Sequence, residues 1–431
     1  MKDFLLRSER AKGLYEAFAA SAPIVDFHNH LSVRDMAENR RYRDLTDLWL
    51  TPDPYKHRLM RICGVREHYI TGTAEPFEKF EKFCEIFPLL AGNPVFDWGR
   101  MELRQVFGIT RLPCKENARY LFDQTREMLA GEDFSTKAIL ARFPIAYQSP
   151  VASLTDDLSD FHGQGVAPSL RGDDLLTKTP ELWHALSEKS GVPVEDEASY
   201  LKAVGVMLDR FAAADCCFVD HALDADFFEK DKEGQAERML IRLGGEYARR
   251  GFTLLLHLDA KRDSSRRLRD IAGKAGGYAA VGGRFPTARL CELLNQMEMA
   301  GGLPDTVLFP LNMADQAPLA VLQGSFSEDG VPSKVQLGPA WWWCDHEQGI
   351  TNTLESIASF GVLSQFIGMT TDSRSILSFV RHDYFRRILC SYIADKDFGL
   401  PERMLGEIIE KICYKNAFEK IKQRRNRYET I

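Results

Sequence analysis

Eight short apolar segments, separated by longer amphipathic stretches, constrain the fold of this 431-residue chain more than any other feature. We predict that these segments are strands at 24–28, 144–148, 166–171, 217–221, 253–257, 306–311, 335–338 and 366–371. The stretches between the later segments have helical periodicity, and this alternation is typical of parallel βαβ units. Eight repeats predict an α/β fold of the (β/α)8 barrel type. A doubly wound sheet has a similar pattern, but no glycine-rich phosphate loop follows the first segment, where that fold usually needs one.

The interval between the first two segments is much longer than one crossover needs. Residues 31–143 contain aromatic residues at helical spacing, so we predict a helical insertion subdomain after the first strand. The chain then divides into residues 1–30, with an N-terminal helix and the first strand, the insertion 31–143, and residues 144–431, with the rest of the barrel and the C-terminal helices. Because barrel active sites lie at the C-terminal ends of the strands, we expect the insertion to form one wall of the pocket.

Reactive side chains lie at the C-terminal ends of several predicted strands, where barrel active sites lie. They are His28 and His30 at the end of the first strand, Arg171 at the third, Asp220 and His221 at the fourth, His257 at the fifth, Asn312 at the sixth, and Asp372 and Arg374 at the eighth. His28 and His30 are two residues apart in an extended segment, so they project to the same side and could hold one metal ion. Each residue alone has a plain structural explanation, such as a helix cap or an ion pair. The joint pattern is typical of a metal site with open positions for substrate or water.

Composition and charge exclude several classes of protein. The net charge of -7 argues against a general affinity for nucleic acid or for an anionic membrane. We find no apolar run long enough for a transmembrane helix and expect a helix, not a signal peptide, over residues 1–20. Nine cysteines without a Cys-x-x-Cys pair indicate a reducing compartment, so we predict a cytoplasmic protein. The sequence leaves the oligomeric state open, including a homo-oligomer.

A series of ordered motifs extends over nearly the whole chain. It includes Asp26-Phe27-His28-Asn29-His30, Asp220-His221-Ala222-Leu223-Asp224, Trp341-Trp342, Thr371-Asp372-Ser373-Arg374-Ser375 and Tyr384-Phe385-Arg386-Arg387. In these motifs the chain resembles the uronate isomerases, or glucuronate isomerases, of the amidohydrolase superfamily. The resemblance implies a distorted (β/α)8 TIM-like barrel. It also implies interconversion of an aldohexuronate, D-glucuronate or D-galacturonate, with its 2-keto isomer, D-fructuronate or D-tagaturonate, in uronate catabolism.

The resemblance further implies how a metal ion is held. Carried over residue by residue, the metal ligands of the family fall on His28, His30 and Asp372. They imply one divalent metal ion, usually zinc. His257 matches a histidine of the fifth strand, which would contact the substrate or add a further ligand.

The chemistry of aldose–ketose isomerisation suits the remaining matched residues. A proton leaves C2 and another is returned at C1 through an enediol or enediolate, which requires a base, an acid at oxygen and positive charge near the oxygen. Asp372 is the candidate base, Arg374 the candidate enediolate stabiliser, and Tyr55 a candidate proton shuttle or hydroxyl contact. Arg171 matches an arginine that can bind the uronate carboxylate through two parallel hydrogen bonds. Trp341 is expected to be a pocket wall that contacts substrate or a plug in the barrel top.

Departures from the family pattern leave the substrate open. The family has a histidine where this chain has Pro54 and a tryptophan where it has His57, and the segments 148–152 and 260–265 also differ. We expect these changes in loops and at strand ends, which set specificity in barrels. One alternative is therefore a metal-dependent hydrolase of a sugar-acid lactone, ester or amide on the same barrel. Another is a sugar-acid-binding protein without catalysis.

Overall fold

The computed structural model describes residues 3–163, 165–274, 276–396 and 398–429. Nine strands are present in that part of the chain: β1 Ile24–Asn29, β2 Ile145–Ser153, β3 Ser169–Arg171, β4 Phe218–Leu223, β5 Thr253–Leu258, β6 Ala260–Lys261, β7 Ala280–Val281, β8 Thr306–Pro310 and β9 Val335–Leu337. Seven of them form one parallel sheet in the order β1-β2-β3-β4-β5-β8-β9, while β6 and β7 pair as an antiparallel hairpin. The predicted α/β barrel class is confirmed.

The middle of the sheet explains why the apolar segments are continuous rather than alternating. Every residue of β5 is buried, and so is every residue of β8. Helices cover one face of the strands and the barrel interior fills the other, so both sets of side chains leave water. His257 is a polar residue inside this apolar strand, and its burial requires a structural or functional reason.

The prediction of a regular eighth strand is wrong. Residues 366–371 form no strand and belong to no ladder of the sheet, and Gly368 within them has a φ of +91°. The buried carboxylate of Asp26 takes over part of the pairing, because it accepts hydrogen bonds from the backbone N–H of Thr371 at 2.6 Å and from the hydroxyl of Thr370 at 2.9 Å. The apolar pattern of this segment cannot show that side-chain hydrogen bonds take the place of backbone hydrogen bonds to a neighbouring strand.

Two other strand boundaries also differ from the prediction. β2 continues through the segment 148–152 to Ser153, so this divergent segment belongs to a strand and not to a loop. β3 begins at Ser169, and Val166 contributes only an isolated bridge to Gln148. Both differences arise where polar residues and a proline interrupt the apolar run, and there strand pairing overrides the local pattern.

Helices surround the sheet and fill the insertion. The α-helices between β1 and β2 are Val33–Ala37, Pro54–Ile62, Pro76–Ile86, Pro94–Phe107, Lys115–Ala130 and Thr136–Leu140. The other α-helices are Glu9–Leu14, Asp173–Thr177, Pro180–Ser190, Glu197–Ala213, Phe227–Lys230, Gln235–Arg249, Arg266–Ala272, Thr287–Met299, Gln316–Ser325, Glu347–Phe360, Val380–Lys396, Glu402–Glu410 and Asn416–Glu429. Among the described residues, every helix is too short or too polar to cross a membrane.

Aromatic side chains pack against one another inside the insertion. Trp49 packs edge-to-face on Phe83 with ring centres 5.2 Å apart. Three of its helices begin with Pro54, Pro76 and Pro94, in the first turn, where the missing N–H of proline costs nothing. The first of these helices carries the predicted site tyrosine in its first turn. The boundaries of the insertion at residues 31 and 143 stay a prediction.

A buried histidine in this first helix makes folding stability depend on pH. Burial lowers the pKa of His57 to about 4, from 6.5. The folded state binds this proton less readily than the unfolded state. The contribution of neutral His57 to folding stability is therefore complete above pH 6.5 and is lost as the pH falls towards 4. At pH 5 the loss is about 2 kcal/mol. Urea unfolding at pH 7 and pH 5 should therefore show a smaller drop for His57→Phe than for the wild type, and equal drops would contradict this origin.

Candidate active site

The three predicted metal ligands converge at the C-terminal end of β1. Nε2 of His30 lies 3.0 Å from Oδ1 of Asp372, and Nε2 of His28 lies 3.3 Å from the same oxygen. One potential ligand atom from each residue lies within 4.8 Å of those of the other two. The imidazole rings are nearly perpendicular, with centres 5.3 Å apart. His30 also borders a cleft of about 440 Å³.

The backbone beside β1 holds Asp372 in this position. The N–H of Asp372 donates to the carbonyl of His28 at 3.1 Å, and the N–H of His30 donates to the carbonyl of Ser373 at 2.9 Å. Asp372 has a φ of +46°, a left-handed conformation that non-glycine residues adopt at a cost in free energy. Such strain persists where the surrounding structure imposes it, and it is commonly found at functional sites.

The electrostatics of the cluster keep the carboxylate ionised. Burial opposes ionisation of Asp372, but hydrogen bonds from His28 and His30 outweigh burial and hold the pKa of Asp372 well below its usual range. Burial lowers the pKa of His30 to about 4. Burial also disfavours the charged form of His28, but the carboxylates of Asp220 and Asp372 outweigh it and raise the pKa of His28. At neutral pH an anionic Asp372 therefore lies beside a neutral His30, and these are the forms that bind metal ions, whereas His28 would have to give up the proton that the two carboxylates favour.

The same cluster contains polar atoms that no described residue satisfies. Oδ2 of Asp372 and Nδ1 of His28 are buried without a hydrogen-bond partner in the described part of the chain. Buried polar atoms without partners are costly, which indicates that a further group completes the site. Two imidazoles and a carboxylate are a donor set that suits zinc and similar divalent ions. The residues present therefore fit the metal ion that the family resemblance implies.

A second group of side chains extends the cluster towards β4 and β5. The ring of His257 lies 4.8 Å from that of His28, and Oδ2 of Asp220 lies 4.0 Å from Nδ1 of His257. Burial lowers the pKa of His257 to about 3 and raises the pKa of Asp220 to about 6. Trp341 packs on His257 with ring centres 4.6 Å apart, so it forms part of the wall around the site.

The two predicted arginines lie in the same region as Asp372. Arg374 follows Asp372 by two residues and borders the cleft beside His30. Partial burial lowers the pKa of Arg374, and the nearby Asp372 raises it while Arg171 lowers it, so all three charges share one region. Arg171 uses Nη2 to donate to Oδ2 of Asp173 at 3.1 Å. Within the part of the chain that the structure describes, this is the hydrogen bond that the Arg171 guanidinium makes.

Tyr55 reaches the site from the insertion. Asp53 caps the helix that begins at Pro54 and accepts the N–H of Tyr55 at 2.9 Å. The ring of Tyr55 packs edge-to-face on Trp98 and Trp343, with centres 6.0 and 5.4 Å apart. Its hydroxyl is buried without a hydrogen-bond partner among the described residues. Burial, aided by the charge of Asp372, raises the pKa of Tyr55 well above its usual value, so its hydroxyl keeps its proton at neutral pH.

Sequence reasoning assigned no role to two aspartates that support these side chains. Asp26 braces the segment before Asp372, and Asp173 holds Arg171. Asp26 lies two residues before His28, so the two-residue period of a strand could have placed it on the same face as the histidines. The sequence around Asp173 has no comparable pattern, because the pairing of Asp173 with Arg171 depends on how the chain turns after β3.

Known proteins match this chain over nearly its whole length. A family model described as glucuronate isomerase matches residues 1–242 and 229–420. The uronate isomerase of Caldanaerobacter subterraneus subsp. tengcongensis is 35% identical over 458 aligned residues, which cover 97% of this chain and 98% of that protein. The uronate isomerase of Bacillus pumilus is 32% identical, with 98% and 97% covered. The crystal structure of uronate isomerase from Thermotoga maritima superposes with a TM-score of 0.89 at 24% identity, covering 98% of this chain and 99% of that one. The chain described here therefore belongs to the glucuronate isomerase family.

Proposed function

We propose that this protein is a metal-dependent uronate isomerase, which interconverts an aldohexuronate such as D-glucuronate or D-galacturonate with its 2-keto isomer. The observation that carries the proposal is the convergence of His28, His30 and Asp372 with Arg374 and Tyr55 at one end of the barrel, in a chain of this family. The set combines a cation site, a carboxylate, a guanidinium and a phenol, which proton transfer next to a carbonyl requires.

His28, His30 and Asp372 are the residues that would hold the metal ion. We propose zinc, because two imidazole nitrogens and one carboxylate oxygen are common ligands of a catalytic zinc. When bound, such an ion supplies positive charge that polarises a carbonyl or hydroxyl oxygen. Asn312, at the end of β8, uses its side-chain oxygen to cap the backbone N–H of Ala314 at 3.0 Å. The amide oxygen of Asn312 therefore serves the backbone.

The protein side chains divide the remaining work. We assign substrate anchoring to Arg171, whose guanidinium suits the uronate carboxylate. Asp372 accepts a proton at Oδ2, the oxygen without a hydrogen bond. Tyr55 keeps its proton at neutral pH, so its hydroxyl donates to a substrate oxygen. Arg374 stabilises the negative charge that develops on the enediolate oxygen.

His257 and Trp341 complete the proposed substrate site. Both are buried, and they lie against each other beside His28. Burial keeps His257 neutral, so one of its ring nitrogens can accept and the other donate a hydrogen bond. We assign both residues to substrate contact. The insertion 31–143 would form the opposite wall, because it supplies Tyr55.

The test is isomerisation in deuterated water. Protein with measured metal content is incubated with D-glucuronate or D-galacturonate, and the sugars are followed by proton NMR. The expected result is the 2-keto acid, with activity lost in His28→Ala protein. Release of a new acid or alcohol from lactones, esters or amides, without isomerisation of either sugar, would favour the hydrolase instead. Tight binding of uronate by metal-loaded protein without turnover would favour the non-catalytic alternative.

We place this activity in the cytoplasm. All nine cysteines are free. Cysteines that stay reduced are typical of a reducing compartment.

A further inference from the structure

The cleft beside His30 is also bordered by the helix Pro54–Ile62 of the insertion. Pro54 and His57 both line this cleft of about 440 Å³, and residues three apart on a helix share one face. His30 and Arg374 line the same cleft. A six-carbon acid that fills a cleft of this size would therefore contact His57 as well as the residues assigned to the reaction.

The imidazole of His57 carries a polar atom without a partner at this cleft. His57 is 8% exposed, and its Nε2 is buried with no hydrogen-bond partner in the described part of the chain. Because burial lowers the pKa of His57 to about 4, the ring is neutral at pH 7 and has one donor nitrogen and one acceptor nitrogen. A hydroxyl group can both donate and accept a hydrogen bond, so it pairs with Nε2 in either tautomer of the ring.

The charged residues around the cleft favour an uncharged group beside His57. Arg40 donates to Asp35 at 2.8 Å and to Asp47 at 2.6 Å, so two carboxylates already balance its charge. Arg374 is the other arginine among the described residues that line the cleft, and it is assigned to the reaction. A further carboxylate would gain little here, whereas a hydroxyl group needs no counter-charge.

Position 57 is also one of the places where the sequence departs from the family pattern. The family has a tryptophan there and a histidine at position 54, so the imidazole of this helix lies one turn later in this chain, at His57 instead of Pro54. The indole of tryptophan only donates a hydrogen bond, whereas a neutral imidazole also accepts one. The departure therefore changes the hydrogen bonds that this wall of the cleft can make.

We propose that His57 is a specificity-determining residue, which binds a hydroxyl group on the carbon chain of the sugar acid. The inference rests on the proposed function, because it concerns the same substrate in the same cleft. The contact selects polyhydroxylated acids over acids of equal length and charge that lack hydroxyl groups, since His57 has no other partner to replace the one it loses.

The experiment measures binding, so it does not depend on turnover. Metal-loaded wild-type, H57F, H57Q and H184F proteins are titrated by calorimetry with D-glucarate and with adipate. Both ligands are six-carbon dicarboxylates of equal charge, but only glucarate carries hydroxyl groups on its chain. His184 is the matched control, because it is an exposed histidine in the helix Pro180–Ser190, outside this cleft.

We expect H57F to weaken glucarate binding by about fivefold to fiftyfold, because a buried hydroxyl group loses its hydrogen-bond partner. H57Q should be intermediate, because the amide of glutamine also offers a donor and an acceptor but lacks the fixed position of the ring.

Adipate separates a binding role from a structural one. If His57 binds a hydroxyl group, adipate affinity stays within about twofold of wild type in all variants, and H184F resembles wild type with both ligands. Equal losses of glucarate and adipate affinity in H57F would mean that His57 only supports the wall of the cleft and would overturn the proposal. Unchanged glucarate affinity in H57F, or wild-type protein that binds glucarate no more tightly than adipate, would overturn it as well. A wild-type protein that selects glucarate through His57 but isomerises neither uronate would contradict the proposed reaction and leave this hydroxyl contact supported.

Discussion

Asp372→Asn protein is expected to lose its bound metal ion and about three orders of magnitude or more in kcat/KM for a hexuronate. Asparagine preserves the shape of the side chain but removes the negative charge, which His28 and His30 stabilise in the folded protein. It also removes the proton acceptor assigned to Oδ2. Metal content is measured by mass spectrometry after dialysis, and turnover by proton NMR with saturating metal in the buffer.

The matched control for this variant is Asp395→Asn. Asp395 is an exposed aspartate in the helix Val380–Lys396, which follows the site in the chain. This control should keep both its metal and its activity, and circular dichroism should show native helix content in both variants. Full metal content together with wild-type turnover in Asp372→Asn protein would contradict both roles. If high zinc restores the metal content of the Asp372→Asn protein but not its activity, Asp372 acts as a proton acceptor in addition to its role as a metal ligand.

Lys56→Met should destabilise the protein by about 3–5 kcal/mol, the usual cost of removing one partner from a buried ion pair. Lys56 is only 2% exposed, and its ammonium group contacts the carboxylate of Asp53 and lies 3.6 Å from Oε2 of Glu102. Trp49 donates its indole N–H to the same glutamate. Without the lysine, both buried carboxylates lose the cation that contacts them. Urea unfolding followed by fluorescence measures the change.

A surface lysine and the pH dependence identify the cause of this loss. Lys202 is exposed in the helix Glu197–Ala213, and Lys202→Met should change stability by less than about 0.5 kcal/mol. Burial already raises the pKa of Glu102 and Lys56 opposes this effect, so loss of Lys56 should raise the pKa of Glu102 further. Protonation of Glu102 then removes part of the charge penalty, so the destabilisation should shrink as the pH falls from 8 to 5. A loss below 1 kcal/mol at pH 8 would mean that the ion pair contributes little.

The fold was largely predictable because its strongest signal is local. Seven of the eight predicted strands exist, since a buried parallel strand requires a continuous apolar run. The eighth fails as a strand because the carboxylate of Asp26 replaces its ladder, a contact between residues more than 340 positions apart. No local pattern contains the information that this aspartate faces Thr371.

The site was predictable as a set of residues but not as an arrangement. Parallel strands bring their C-terminal ends to one edge, so His28, His257 and Asp372 had to approach one another in any barrel with these strands. The sequence alone could not show which carboxylate pairs with each arginine. Asp173 beside Arg171 and Asp224 beside Arg262 are pairings that depend on how the loops turn after β3 and β5.

Chain order and residue chemistry are thus sufficient to predict the barrel, the family and the residues that meet at the end of the barrel. The spacing of apolar residues, the alternation of side chains along a strand and the spacing of motifs are all properties of neighbouring residues. Protonation states and unpaired buried polar atoms arise only in three dimensions. They depend on burial and on distances of a few ångströms between distant segments, and electrostatic energies change steeply with both.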